Sequence, residues 1–401
     1  MQAMQPELSD RIYAARLFCV LFMMYVHVPN GMGDFIISYT FEWGRFDHWV
    51  EAFLIEGPGR ASAALLSLVS GYLVALSLGG KRASPVGIVA RRFISTLLPM
   101  MFWGALILLV YSLISQYRST FLDDYPGWLD RINVVLFLTD VPYGPTMHLA
   151  FLRDLFVCAV LSPLLLVLLR RAAWPLLIVL AWVYLFHHDV AYYPVLRPLV
   201  LFSFALGMLL ALRLNQLDAL DRYWAFFLAI SVITALVIMW VNGGGLSGWA
   251  DYFDNHGLSL KETVLYPVCR LSGSLAIWTL LPRILTQRVR SFVKRYSAYV
   301  FAAFCSHYLM LSIVFNVLWM PLLGERDSPL YLIWFIAAPF VALLLAVCIV
   351  QIAMRISPYL ALLITGGRLQ QSYGAQSPAR LGKEPGIGSM IRGRFFIRDS
   401  G

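Results

Sequence analysis

Ten apolar runs follow one another along the chain, and their length is what most limits the folds it can adopt. They cover 12–31, 58–78, 93–114, 148–169, 174–187, 194–212, 223–241, 262–282, 297–319 and 330–352. Most have the length of about 17 to 25 residues that a helix needs to cross a bilayer. Because 60% of the 401 residues are hydrophobic and only 13% are charged, a soluble domain of this size would expose much apolar surface. The sequence therefore predicts an all-α, polytopic bundle of transmembrane helices with about ten spans.

Two of the shorter runs leave the number of spans between nine and eleven. The run at 174–187 suits a tilted or irregular helix. Residues 132–140 lie in the segment "RINVVLFLTD", which is too short to cross a bilayer and suits an interfacial or re-entrant position.

Positive charge between the runs predicts the orientation of the chain. Lys and Arg cluster in alternate loops, at 81–92, 170–171, 213–222 and 283–295. The opposite loops carry acidic or neutral segments such as "LDDYPGWLD" and "WADYFDN". Since Lys and Arg accumulate in cytoplasmic loops, we expect both termini in the cytoplasm. The net charge of +9 thus reflects topology, and no nucleic-acid partner is expected.

The composition divides the chain into two parts. Residues 1–352 contain all ten runs and form the predicted transmembrane domain. Residues 353–401, rich in Gly, Ser, Pro and Arg from about Gly366, are predicted to be a disordered cytoplasmic tail without a functional site. The five cysteines all fall inside apolar segments and have no metal-ligand spacing, so we expect buried, inert thiols and no metal.

A few ionisable residues interrupt the apolar runs. A charged side chain at the centre of a span costs about 2.5–3.5 kcal/mol on insertion scales, so such residues are functional candidates. They are Arg16, His27, His148, Arg153, Asp154, Arg197, Arg270 and His307.

The segment "RLFCVLFMMYVH", from Arg16 to His27, combines two of these residues on one helix. Eleven residues at about 100° each return to within roughly 20° of the starting direction, so both side chains share one face. The rise between them is about 16 Å, half the hydrocarbon thickness. Taken singly, Arg16 can snorkel to the inner headgroups and His27 can sit at the interface. Their shared face favours a functional pair.

The predicted topology gathers further polar residues at two depths. Near His27, at the outer side, we expect His148, Arg153, Asp154, Arg197, Glu56 and Arg60. Near Arg16, at the inner side, we expect Arg91, Arg92, Lys294 and Arg295. The arrangement predicts an anion site inside, a histidine-containing pocket outside and a path between them.

Several motifs give the chain a family resemblance. An arginine precedes a histidine by eleven residues in the first span, "LVSGYLV" carries Ser70 and Gly71, and "ARRFISTLLP" opens the third span. With "HLAFLRDLFVCAVLSPLL", "LVLFSFALGMLL" and "AFCSHYLML", the chain resembles the acyltransferase 3 family of integral membrane acyltransferases over roughly residues 11–350. It departs from the family where a second arginine often follows, at Ser95 and Thr96, and where an aromatic residue is common, at Ala150.

The resemblance implies an O-acyltransferase in the cell membrane, in bacteria the inner membrane. Its donor would be cytoplasmic acetyl-CoA, and its acceptor a hydroxyl of a cell-surface or exported glycan, or of a lipid-linked sugar, on the outer side. Arg16, Arg91 and Arg92 are the expected donor-binding residues, because guanidinium groups bind phosphate bidentately.

Within that activity, His27 is the expected general base, or the residue that carries the acetyl group. Asp154 is expected to orient an imidazole, and Arg153 or Arg197 to stabilise the oxyanion. His148, Arg197 and Glu56 are the expected acceptor-binding residues.

The alternative is a transporter or flippase, because buried Arg, Asp and His residues also suit proton-coupled transport. The chain shows neither an internal repeat nor matched pairs of broken spans, which disfavours this class. Consumption of labelled acetyl-CoA by purified protein distinguishes the two.

Overall fold

A computed structural model describes residues 6–29, 42–79, 84–113, 127–136, 146–186, 196–213, 217–245, 259–324, 328 and 330–369. Every regular element in these ranges is helical, which confirms the all-α prediction. The α-helices are α1 Pro6–Tyr25, α2 Phe46–Leu54, α3 Arg60–Gly79, α4 Pro85–Arg92, α5 Leu98–Leu113, α6 Trp128–Leu136, α7 Ala150–Phe186, α8 Pro198–Arg213, α9 Trp224–Asn242, α10 Tyr266–Ile284, α11 Gln287–Tyr296, α12 Val300–Val314, α13 Met320–Leu323, α14 Tyr331–Ile356 and α15 Pro358–Thr365.

Each predicted apolar run coincides with a helix. In the described part of the chain, seven helices are long and apolar enough to cross a membrane, so the protein is a multi-pass helical bundle. Residues 150–169 and 174–186 of two predicted runs both lie in α7, which is kinked at Ala172, where the backbone leaves the helical region (φ −144°, ψ 54°). Residues 132–136 belong to α6, and 137–140 lie outside the described ranges. The total number of spans and the side of each terminus stay predictions.

Short π-helical segments interrupt the regular helices. They are Ile55–Gly59 before α3, Phe93–Leu97 between α4 and α5, Lys261–Leu265 before α10 and Phe315–Trp319 after α12. A π-turn inserts one extra residue, so it rotates the following side chains and leaves backbone carbonyls without their usual partner. Two of these segments adjoin the site described below.

Helices α3 and α8 approach each other closely, and two glycines make this approach possible. A Cβ atom at Gly71 would overlap the carbonyl oxygen of Phe204, and one at Gly207 would overlap that of Leu68. The two glycines therefore face the partner backbone reciprocally, as small residues do in packed membrane helices. This contact explains why the Ser70-Gly71 motif needs glycine at its second position.

Charged residues fix the first turns of α1 to its neighbours. Arg11 is 4% exposed and pairs with Asp221, with an Nη1–Oδ2 distance of 3.0 Å. The same guanidinium donates to the carbonyl of Trp278 at 2.7 Å. Asp10 accepts from Lys294 of α11 at 2.9 Å. These contacts set the position of α1, whose next turns carry Arg16.

The end of the described chain belongs to the bundle. Helix α14 continues to Ile356, and α15 packs against α5, α12 and α14. The indole nitrogen of Trp103 in α5 donates to the carbonyl of Ile364 at 3.2 Å. Helical structure thus extends beyond the predicted domain boundary at residue 352, and 353–369 are part of the fold. Residues 370–401 lie outside the described ranges.

Candidate active site

Three histidines from three different elements meet inside the bundle. His27 lies in the turn after α1, His148 in the short 3-10 helix Met147–Leu149, and His307 in the middle of α12. The ring centroids are 5.4 Å apart for His27 and His307, 4.7 Å for His148 and His307, and 6.1 Å for His27 and His148. The ring of Tyr308 stacks on His148 at 5.8 Å. We call these three histidines the histidine cluster.

Backbone carbonyls of α12 fix the tautomers of two of the rings. His148 Nε2 lies 3.1 Å from the carbonyl oxygen of Cys305, and His307 Nδ1 lies 2.6 Å from that of Phe304. A carbonyl oxygen can only accept a hydrogen bond, so each of these nitrogens carries the proton. The other nitrogen of each neutral ring then has a free lone pair.

The cluster presents three buried nitrogens without protein partners. His27 Nδ1, His148 Nδ1 and His307 Nε2 have no hydrogen-bond partner among the described residues. An unsatisfied buried polar atom costs about 1–3 kcal/mol, so a cluster of three is characteristic of a site that binds a polar ligand. No group of three or more His, Cys, Asp or Glu residues in the described ranges could hold a metal ion.

His307 had no assigned role in the sequence-based interpretation, although it was noted among the buried ionisable residues. Its side chain is fully buried, and its ring is the nearest to both other histidines. Sequence spacing could not place it, because α12 lies far along the chain from α1. The available signal was a lone histidine inside the apolar segment "AFCSHYLML".

Asp154 pairs with arginines. Its Oδ1 accepts from Arg153 Nη2 at 2.7 Å, and its Oδ2 lies 3.8 Å from Arg197 Nε. The carboxylate is fully buried, and none of its contacts with the described residues involves an imidazole. No described contact supports the predicted orienting role of Asp154; its carboxylate is hydrogen-bonded to Arg153 and lies within ion-pair distance of Arg197.

Glu56 forms a second ion pair near the cluster. Its Oε2 lies 2.7 Å from Arg60 Nε, one helical turn further along, and the Arg60 guanidinium stacks over the ring of Tyr266 at 4.7 Å. Arg60 and Arg197 lie close enough to His27 to add positive potential at its ring. Both arginines near His27 are therefore members of ion pairs, Arg60 with Glu56 and Arg197 with Asp154.

A partly open cavity of about 100 Å³ lies along the preceding turns of α1. Tyr13, Arg16 and Val20 line it from one face of that helix. His27 follows Val20 by seven residues, in the turn directly after α1. Phe304 also lines the cavity, and the centroid of its ring lies 5.9 Å from that of His148 and 6.0 Å from that of His307. One aromatic side chain therefore separates this cavity from the histidine cluster.

Only some of the predicted anion-binding residues line the cavity. Arg16 and Arg92 line it, whereas Arg91 is exposed and does not. Lys294, predicted nearby, instead pairs with Asp10. No carboxylate lines the cavity, and none in the described ranges pairs with Arg16 or Arg92.

A third guanidinium that the sequence-based interpretation missed completes the lining. Arg368, three residues after α15, faces the cavity and lies over the ring of Phe301 at 3.7 Å. Burial, followed by the charges of Arg16 and Arg92, lowers the pKa of Arg368 to about 9. Three positive charges therefore converge on a small space. The composition of the surrounding segment, rich in Gly and Ser, had suggested a tail.

Comparison with known proteins identifies the family. A family model described as an acyltransferase domain, acyltransferase 3, matches residues 10–353. The chain belongs to the acyltransferase 3 family. Membership confirms the resemblance found in the motifs, and it makes this multi-pass protein a membrane acyltransferase. The matched range includes all three members of the histidine cluster, Arg16 and Arg92, and it ends before Arg368.

The chain aligns with one characterised relative over nearly its whole length. The chain is 28% identical over 381 residues to the succinoglycan biosynthesis protein ExoH of Rhizobium meliloti (strain 1021), an alignment that covers 91% of this chain and 94% of that protein. No solved structure matches the chain significantly.

Proposed function

We propose that the protein transfers an acetyl group from cytoplasmic acetyl-CoA to a hydroxyl of a cell-surface or exported glycan. The observation that carries the proposal is the position of two features that follow one another along α1 and the turn after it. The cavity beside Arg16 gathers three guanidinium groups and no carboxylate, and the histidine cluster begins beyond it, in the turn after α1. Family membership supports acyl transfer as the reaction.

The cavity supports a donor that carries several negative charges. Guanidinium groups bind phosphate oxygens with two parallel hydrogen bonds, and three converging cations favour a polyanion over a single charge. The hydroxyls of Ser70 and Thr96 also line the cavity, and Thr96 Oγ1 is buried without a partner among the described residues. Coenzyme A supplies phosphates for the arginines and a long neutral arm that can extend along α1 towards His27.

The histidine cluster supplies the chemistry. The acceptor oxygen attacks the thioester carbonyl carbon, and its proton passes to Nδ1 of His27, which has no other described partner. As the carbon–sulfur bond breaks, the departing thiolate takes that proton back from the imidazolium. Arg197, fixed by Asp154, provides positive charge for the oxyanion that forms between these steps. His148, with its proton held on Nε2 by Cys305, accepts a hydrogen bond from the acceptor sugar at Nδ1.

The acceptor class rests on the relative. ExoH is named as a succinoglycan biosynthesis protein, which supports a polysaccharide or its lipid-linked precursor as the acceptor here. His148, Arg197 and Glu56 are the proposed acceptor contacts. His148 packs against His27, Arg197 adds positive potential at the His27 ring, and Glu56 pairs with Arg60, which also adds positive potential there.

The test measures acetylation in sealed, right-side-out vesicles. Radiolabelled acetyl-CoA loaded inside should acetylate a glycan acceptor supplied outside, whereas acetyl-CoA supplied only outside should not. His27→Ala should insert and fold normally but transfer no acetyl group. The matched control is Cys348→Ser, because Cys348 is exposed on α14, away from both sites.

Two results would contradict the proposal. Near wild-type acetylation by a normally expressed His27→Ala variant would show that His27 is not the general base. Activity with external acetyl-CoA alone reverses the proposed direction of transfer. Accumulation of label on the protein before any acceptor is added would replace direct transfer by an acetyl-histidine intermediate.

A further inference from the structure

The segment after α15 enters the donor cavity, although the family match ends before it. Helix α15 terminates at two glycines with positive φ, Gly366 at +60° and Gly367 at +76°. Gly367 N donates to the carbonyl of Leu362 at 2.8 Å, and Gly366 N to that of Leu363 at 3.2 Å. This pair of bonds is the Schellman arrangement, which reverses the chain direction at a helix end. The reversal directs Arg368 back into the bundle.

Gly366 lies where there is no space for a side chain beside Arg368. A side chain at this position would overlap the Arg368 guanidinium and the carbonyl oxygen of Ser95. Its φ of +60° is also unfavourable for residues with a Cβ atom. Glycine therefore serves two purposes here, since it permits both the turn and the close passage of Arg368.

Only part of the Arg368 guanidinium is used by the protein. Nη1 donates to the carbonyls of Ser95 at 3.0 Å and Thr365 at 3.1 Å. The carbonyl of Ser95 lies in the π-helical segment Phe93–Leu97, where backbone acceptors are released from regular pairing. Nε and Nη2 make no hydrogen bond to the described residues, which leaves three of the five N–H donors for a ligand.

The three guanidinium groups have no counter-charge in the described structure. Arg16, Arg92 and Arg368 are near enough to influence one another electrostatically, and no carboxylate lines their cavity. Like charges in a poorly hydrated space repel one another, so an anion that binds all three relieves that repulsion. The C-terminal segment can therefore be held in place by the ligand as well as by α5.

We propose that Arg368 is the third anion-binding residue of this cavity, and that it closes the site over the phosphate groups of the donor. The ligand class is a diphosphate-containing nucleotide thioester. Naming the donor rests on the proposed function, whereas the anion site rests on the cavity alone.

The experiment measures ligand affinity by calorimetry on the full-length protein in nanodiscs. The probes are acetyl-CoA, inorganic pyrophosphate and S-acetylpantetheine, which has the neutral arm without phosphates. Arg368→Gln should weaken acetyl-CoA and pyrophosphate by about tenfold to a hundredfold, the value of a charged hydrogen bond, and leave S-acetylpantetheine unchanged. Arg368→Lys should recover part of the loss. Arg355→Gln is the matched control, because Arg355 is exposed at the end of α14.

A second variant perturbs the same contact without removing the charge. Gly366→Ala displaces Arg368 through its backbone and should weaken pyrophosphate in the same direction as Arg368→Gln. In turnover assays, Arg368→Gln should raise KM for acetyl-CoA while kcat changes little, because the contact is remote from the reacting carbon.

Three outcomes separate the possibilities. Unchanged pyrophosphate affinity in Arg368→Gln overturns the assignment. Equal loss for acetyl-CoA and S-acetylpantetheine, together with a lower melting temperature, also overturns it, since Arg368 would then only hold α15 in place. Arg368-dependent binding of pyrophosphate without binding or consumption of acetyl-CoA supports the anion site and rejects the proposed function.

Discussion

Single atoms decide the chemistry of the histidine cluster. The carbonyls of Phe304 and Cys305 hold protons on His307 Nδ1 and His148 Nε2, and so fix which nitrogen of each ring can accept. These carbonyls belong to adjacent residues of α12, so one turn of helix sets which nitrogen is protonated in two rings of the histidine cluster.

His307→Ala is expected to lower kcat by about 10²-fold or more, since general acid–base groups contribute that much, with little change in KM for acetyl-CoA. The reason is its position, because His307 contacts His27 and His148 while Phe304 separates it from the donor cavity. Steady-state kinetics with acetyl-CoA varied at saturating acceptor would measure both constants. A raised KM at unchanged kcat would place His307 in donor binding.

Two adjacent arginines give a matched comparison for donor binding. Arg92 lines the cavity and Arg91 is exposed. Arg92→Ala should cost about 1.5–3 kcal/mol of binding, which appears as a tenfold or larger rise in KM for acetyl-CoA. Arg91→Ala should leave KM within about twofold, as expected for an exposed charge. Equal effects of the two substitutions would show that the donor also contacts the exposed face of α4.

At the scale of elements, the close contact between α3 and α8 supports the site from behind. Ser70 faces the donor cavity from α3, and its neighbour Gly71 touches the backbone of α8. Any side chain at the contact pushes the two helices apart and moves Ser70 with them. Small residues here therefore serve the cavity as well as the packing.

Gly207→Ala should destabilise the bundle by about 1–3 kcal/mol, because the added methyl group overlaps the Leu68 carbonyl and the helices must separate. Thermal unfolding in detergent, followed by fluorescence-detected gel filtration, would report the loss. Gly79→Ala is the control, since a Cβ at Gly79 meets no atom within 4 Å. An equal melting temperature for both variants would show that the helices adjust without strain.

At the scale of the whole molecule, the site joins segments from both ends of the chain. The donor cavity takes Arg16 from α1, Arg92 from α4 and Arg368 from the segment after α15. Asp10 and Arg11 fix the start of α1, and Trp103 holds α15 through Ile364. The cavity is therefore completed only when α15 has packed against α5, α12 and α14.

Two truncations test this closure. A chain that ends after Leu369 keeps every described cavity residue and should bind acetyl-CoA like the full-length protein. A chain that ends after Gly366 loses Arg368 and should bind acetyl-CoA about tenfold or more weakly, as expected for a lost charged contact. Binding to both proteins in nanodiscs is the measurement. Similar affinities of the two truncated proteins for acetyl-CoA would show that the segment after Gly366 does not contribute to binding.

The sequence by itself determined the class of fold and half of the site. Continuous apolar runs of bilayer length favour helices, since a helix pairs each backbone polar group in lipid within its own segment. The eleven-residue spacing placed Arg16 and His27 on one face, because helix periodicity is a local property. The helical bundle confirms the fold class, and in the structure a cavity lies beside Arg16 while the histidine cluster lies at His27.

Only the tertiary structure decided which distant residues join that face. Helix packing placed His307 next to His27 and Asp154 next to Arg153 and Arg197. It also decided that Arg92 lines the cavity whereas Arg91 does not. It also turned Arg368 into the cavity, although its surroundings had the composition of a tail. The physical reason is that periodicity gives each residue a direction around its own helix, whereas the partner it meets depends on contacts between segments far apart in the chain.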